Sequence, residues 1–212
     1  MDPASRPLSG HHGRVDAARV AALRDLLSST PWVERTRGFA KTMRTSTTTP
    51  EGLLLVGTPD DEPWHLTAHL TDEARLAHLP ELTPTLVRWH AEPDAPPHLS
   101  VTLERLERAR RGETVLVVAE DAAPEALLQR AWDARKSGAT ILSLDGGDEE
   151  LHGVAHEALS VVENDLVTVS FDSVQHLVSA AAGEVSTAGA RRGFRDRLGR
   201  MLDTMSGPRA DR

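Results

Sequence analysis

The chain has 212 residues, of which 39% are hydrophobic and 26% charged, the balance of a folded globular protein and not of a disordered one. Its net charge of −8 argues against nucleic acid and anionic membrane as partners, and no apolar run approaches the roughly 18 residues that a membrane span requires. With no cysteine there are no disulfides, thiol nucleophiles or cysteine zinc sites, and the stretch MDPASRPLSGHHGR offers no apolar signal segment, so a cytoplasmic protein is expected.

Residues 1–14 are rich in Pro, Gly, Ser, His and Arg and read as a disordered tail. A helical pattern runs from Val15 through Leu27 to Pro31, and a second covers Trp32 to about Thr45. Leu53-Leu54-Leu55-Val56 is a short, continuously apolar strand ending at Gly57, as expected of a strand covered on both faces. Pro63 then opens a helix, with Leu66, Leu70, Ala74 and Leu79 near one face. Thr85–Trp89 reads as a strand, His90–Pro97 as a loop, and Leu99–Arg111 as a helix closed by Gly112. Thr114–Ala119 is the strongest strand pattern in the chain. Pro124–Lys136 is helical, Ala139–Leu144 a strand, Glu149–Leu159 a helix, and Ser160 to about Glu163 an edge strand. A helix from Thr168 or Ser170 to Ala182 follows, and Arg192–Met205 makes a final basic helix.

This alternation predicts a three-layer α-β-α sandwich around a five-stranded, mostly parallel sheet, with an extra helix at each end. Residues 15–190 form the domain, and 191–212 a basic helix and tail. Seven Arg face three Asp from Arg191 onward, while the rest of the chain carries a net charge of −12. That basic helix is expected to pack on its own acidic domain, with nucleic acid or an acidic partner as the competing role. Ligands of such sheets bind beyond the carboxyl ends of the strands, so Gly57–Pro63, His90–His98, Ala119–Pro124 and Asp145–Asp148 are the loops to watch.

Within this layout, ETVLVVAEDAAPEALLQRAWDARKSGATILSLDGG (residues 113–147) resembles the central unit of the sugar isomerase (SIS) family. That unit has a strand, a ligand loop of the type S-x-S-G-x-T-x-E, a helix ending A-x-x-x-G-A, and a second strand. LHGVAHEAL, FDSVQHLVSAAAG and, earlier, GLLLVGTPDDEPWHLTAHL are similar to further parts of the fold, so the resemblance spans about residues 15–185. It implies a homodimer and a sugar-derived ligand held at the loops of Gly57, Thr58, Glu120, Asp121, Ala122 and Ala123. The departures are chemical. Both serines and the threonine of the ligand loop are missing, and Glu120 and Asp121 stand there instead, with Asp60, Asp61 and Glu62 in the first loop. Carboxylates beside a phosphate dianion in a partly desolvated cleft cost several kcal/mol unless protonated or bridged by a cation. Asp121 is also expected to cap its helix, Asp being a preferred N-cap.

His65 and His69 stand at i and i+4 on one helix face, a spacing that suits a divalent metal. WHLTAHL is similar to a segment of the phosphoheptose isomerases, in which His and Glu at this spacing bind zinc; here His69 replaces the Glu, and Ala180 stands at the last His position. The same resemblance implies further ligands from Asp172, Gln175 or His176. The plain reading leaves His65 and His69 on a helix surface. His152 and His156 form a second such pair, expected on a solvated amphipathic helix. Trp64, Trp89 and Trp132 are expected in the core or at a dimer contact. Asp145–Glu150 is acidic enough for a cation but lacks the spacing of an EF-hand loop. Two functions compete. One is a non-catalytic or regulatory carbohydrate-derivative-binding module with degenerate phosphate loops, needing no cofactor. The other is a metal-assisted sugar-phosphate isomerase of the phosphoheptose type.

Overall fold

The computed structural model describes residues 32–162 and 170–184. The expected tail 1–14, the helix from Val15 and the basic helix after Arg191 lie outside the described residues. Five strands form one parallel sheet: β1 (Leu53–Val56), β2 (Pro84–Val87), β3 (Thr114–Ala119), β4 (Thr140–Asp145) and β5 (Glu157–Ser160), in the order β2-β1-β3-β4-β5. Among the described residues the α-helices are α1 (Trp32–Ser46), α2 (Trp64–Ala77), α3 (Glu125–Lys136), α4 (Glu149–Val154) and α5 (Phe171–Ala182).

Alternate strand residues supply two cores. Leu53, Leu55, Leu116, Val118, Leu142 and Leu144 pack against α1, α2 and α5. Leu54, Val56, Val115, Val117 and Ile141 pack against α3, Leu151 of α4, and Leu103 and Leu106. Covering both faces is why these strands read as unbroken apolar runs. The result is the expected three-layer sandwich. At the end of α3, Gly138 adopts φ +96°, a left-handed conformation suited to glycine, and the chain turns directly into β4.

Two elements differ from the sequence expectation. Leu99–Arg111 is not one helix but two 3-10 turns, Pro97–Leu99 and Leu103–Arg108. The segment between them is drawn to the sheet: the Arg88 N–H donates to the Val101 carbonyl at 2.8 Å, and Arg88 bridges Thr102 beyond the end of β2. The helix expected over Glu149–Leu159 stops at Val154. Glu157–Ser160 pairs with Leu142–Asp145, and the His156 N–H donates to the Ile141 carbonyl at 2.8 Å, so the edge strand begins earlier than its apolar pattern suggests. Sheet pairing outweighs helical propensity in both segments.

The central position of β3 sets the stability test. Leu116 is fully buried whereas Leu76 on α2 is 64% exposed. Leu116→Ala is expected to cost about 2–5 kcal/mol in urea unfolding, from lost transfer energy and the cavity left behind. Leu76→Ala should stay within about 0.5 kcal/mol, as a surface change does.

Candidate functional site

The loops after β1 and β3 meet the N-terminus of α5 beyond the carboxyl edge of the sheet. Between them lies a cleft of about 270 Å³ lined by Asp61, Glu62, Pro63, Trp64, His65, Glu120, Phe171, Asp172 and Gln175. The β1 loop is held in place from β2. Glu62 accepts from Arg88 Nε at 3.0 Å and from the Trp89 N–H at 3.2 Å, and Trp89 Nε1 donates to the Gly57 carbonyl at 2.8 Å. The Arg88 guanidinium also lies 5.0 Å from the centre of the Trp64 ring. Trp64 is 43% exposed at the cleft and Trp132 43% exposed on α3, so of the two places expected for them, core or dimer contact, neither is in the core. The buried Gln175 Oε1 has no hydrogen-bond partner.

Of the six residues expected at the ligand loops, Glu120 lines this cleft. The others lie elsewhere. Gly57 is buried, and Thr58 closes its own turn: its N–H donates to the Asp61 carbonyl and its hydroxyl accepts from the Asp61 N–H. Asp121 and Ala122 are exposed. Asp121 does not cap the helix. The N-cap is Pro124, with no side-chain cap bond, because the β3 loop is longer than the Asp position allows for. Asp148 caps a different helix and also reaches the β3 loop. Its Oδ1 accepts from the N–H groups of Glu150 and Leu151, capping α4, and its Oδ2 accepts from the Ala123 N–H at 2.8 Å.

His65 is exposed on the α2 surface, as the plain reading expects, whereas His69 is half-buried. Packing of α2 against α5 brings His176 to them, with ring centres 4.5 Å from His69 and 6.4 Å from His65; His65 and His69 are 6.1 Å apart. Asp172 Oδ2 lies 3.6 Å from His176 Nε2. His176 is buried, and its Nδ1 has no hydrogen-bond partner. Burial lowers the pKa of both His69 and His176, and the neighbouring imidazoles push in the same direction against the pull of Asp172. Neutral imidazoles are what a metal requires. Yet among the described residues no group of three His, Asp or Glu side chains is arranged to hold a metal ion, so the rings as placed do not fit one.

The second histidine pair also departs from a solvated helix. His152 Nε2 lies 2.9 Å from both Asp145 Oδ1 and Ser160 Oγ. His156 lies beyond α4, and its Nδ1 accepts from the Ile141 N–H at 2.9 Å. Asp145 is fully buried; burial opposes its charge, but the hydrogen bonds at its carboxylate outweigh burial and hold the carboxyl below its ordinary value. Ser160, His152 and Asp145 are not a nucleophilic triad. Such a triad uses both ring nitrogens, one for the acid and one for the hydroxyl, and here both partners share one nitrogen. The Asp145–Glu150 run is therefore consumed by local structure at Asp145 and Asp148.

The sequence reading missed Trp64 as a cleft residue and Asp148 as the partner of Ala123. The first sits beside the expected loop and is visible as an aromatic at a helix start. The second contact joins residues 25 positions apart and has no local signal.

No family model matches the chain, and neither does any curated protein sequence. Solved structures share its architecture. A Salmonella typhimurium LT2 protein assigned as sugar-binding superposes with a TM-score of 0.55 at 16% identity, covering 92% of this chain and 56% of its own. A Silicibacter pomeroyi DSS-3 protein assigned as a phosphosugar isomerase gives 0.54 at 15% identity, covering 92% and 55%. The sugar isomerase domain of an RpiR transcription factor from Sphaerobacter thermophilus gives 0.50 at 12% identity, covering 91% and 96%. The chain thus has the fold of the sugar isomerase domains, and it spans little more than half the length of the first two proteins. No described helix is long and apolar enough to cross a membrane.

The imidazole cluster makes stability depend on pH. His69 and His176 resist protonation in the folded chain, whereas the unfolded chain takes up protons near pH 6.5. His156, lowered by burial and by Arg135, acts in the same sense. Their contribution is full above about pH 6.5 and is lost as pH falls below it. The thermal midpoint is expected to fall between pH 7.5 and 5.5, and to fall less steeply in His69→Gln. Equal slopes for the variant and the wild type would contradict this account.

Proposed function

We propose that the chain is a non-catalytic or regulatory domain that binds a carbohydrate derivative without a phosphate group. The cleft lining carries the proposal. Asp61, Glu120 and Asp172 contribute carboxylates to it, Glu62 being paired with Arg88, and among the described residues no Lys or Arg lines it. Hydrogen-bond acceptors predominate among these side chains. Such a wall suits the hydroxyl and amine donors of a sugar and repels an oxyanion. Trp64 and Phe171 supply apolar surface for the body of a ring. The domain is read as a cytoplasmic homodimer, in keeping with its resemblance to sugar isomerases.

A thermal-shift panel of neutral sugars, amino sugars and their phosphate esters tests this. A ligand at 100 times its dissociation constant adds about 2.7 kcal/mol of stability. Stabilisation is expected from a phosphate-free sugar, weakened by Glu120→Lys, and none from the matching ester. A clear shift with the ester alone, or turnover of it, would overturn the proposal.

The gathering of His65, His69 and His176, with Asp172 beside them, favours a second reading as a metal-assisted sugar-phosphate isomerase. That reading needs the rings to turn before they share a metal. It predicts zinc in the purified protein, lost in His176→Ala. Metal analysis showing less than a tenth of an equivalent would end it.

A further inference from the structure

The chain enters β3 through a tight turn at the amino edge of the sheet, the edge opposite the cleft. The Glu113 N–H donates to the Arg110 carbonyl at 3.0 Å, and Gly112, third residue of the turn, holds φ +86°, which favours glycine. The Gly112 carbonyl accepts from the N–H groups of Thr48 and Thr49, at 2.9 and 3.2 Å, so the turn is tied to the segment after α1. A buried carboxylate fixes it from within. Glu113 is 4% exposed; its Oε2 accepts from the Arg110 N–H at 2.9 Å and its Oε1 from Arg105.

Three guanidinium groups stand on this fixed turn without a partner. Ala109 is buried and extended, while Arg108, Arg110 and Arg111 around it are exposed. Their side chains make no hydrogen bond, ion pair or ring contact with any described residue. Among the described residues Lys41 is the one other basic side chain of which this holds. Elsewhere cations are engaged, as Arg88 is by Glu62 and Arg44 by the Ala181 carbonyl. The acid of the turn itself, Glu113, is taken up by Arg105 and the Arg110 amide, so it neutralises none of the three.

We propose that the turn carrying Arg108, Arg110 and Arg111 is a docking site for an acidic protein segment, a short run of Asp and Glu side chains on a partner. Guanidinium forks match carboxylates bidentately, and clustered arginines are a recurring device for reading acidic motifs. A turn already held by Gly112 and Glu113 loses little further freedom on binding. The partner is short because exposed Glu104 and Glu107 precede the triplet and the chain as a whole carries −8. A long polyanion such as nucleic acid would run over those carboxylates. The site lies across the sheet from the cleft, so it stands independently of the ligand reading, and partner and ligand can be bound together.

The probe is a fluorescein-labelled peptide of about eight Asp and Glu residues, titrated with the full chain at about 50 mM salt and read by anisotropy. A Gln and Asn peptide of equal length and a single-stranded oligonucleotide are run beside it. Binding is expected for the acidic peptide, weakening as salt rises, and not for the amide peptide. The triple variant Arg108→Gln, Arg110→Gln, Arg111→Gln is expected to keep its thermal midpoint and to bind the acidic peptide at least about tenfold more weakly. Lys41→Gln, which removes the other unpaired cation, should bind as the wild type does. The triple Lys variant keeps the charge, loses the forks and should fall between. No binding by the wild type overturns the proposal, as does equal binding by the triple Gln variant or an equal loss in Lys41→Gln. Tighter binding of the oligonucleotide than of the peptide also overturns it and makes the turn a nucleic-acid contact. Should the triple Gln variant not fold, Arg111→Gln alone decides, with a loss of about threefold expected and none overturning the proposal.

Discussion

Burial of β3 on both faces and along both edges is the constraint on which the rest depends. All six of its residues are buried, and β1 and β4 flank it. A strand in that position has room for apolar side chains and for little else, so it offers no chemistry along its length. Chemistry is displaced to the strand ends. Because every strand runs parallel, the loops after β1, β3 and β4 leave from one edge, and the cleft forms there with the start of α5.

At that edge the carboxylates divide into two groups by what surrounds them. Glu62 is tied to Arg88 and the Trp89 amide, Asp145 Oδ1 takes the Gly147 N–H and meets His152, and Asp148 joins the start of α4 to the Ala123 amide. These three hold loops in place. Asp61, Glu120 and Asp172 are exposed and face the cleft, where they set the sign of its field. Where the resemblance to sugar isomerases implies loop hydroxyls, this chain carries carboxylates.

The histidines show the same division. His152 and His156 are absorbed into the end of the sheet, where they bond Asp145, Ser160 and the Ile141 amide. His65, His69 and His176 gather between α2 and α5; burial holds His69 and His176 toward the neutral form, while His65 is exposed. A neutral imidazole offers a lone pair. The edge-to-face packing, with no three ligand atoms converging, separates the cluster from a formed metal centre.

The fold was largely legible in the residues. Leu53–Val56 and Thr114–Ala119 are apolar runs bounded by turn residues, and burial on both faces is a property that such runs report directly. The i, i+4 spacing of His65 and His69 is likewise local and places them on one side of α2. What the sequence could not decide was every feature set by distant pairing. Val101 and Thr102 leave a helical pattern because Arg88 bonds them, and α4 ends early because Glu157 joins β4. His176 reaches His69 only through the packing of two helices about a hundred residues apart in the chain. Asp148 reads locally as a helix cap, and the same carboxylate reaches the Ala123 amide because Gly146 lets two loops touch. Local propensity and periodicity are encoded over a few residues. Contacts that close a site are fixed only when the sheet has brought its strand ends together.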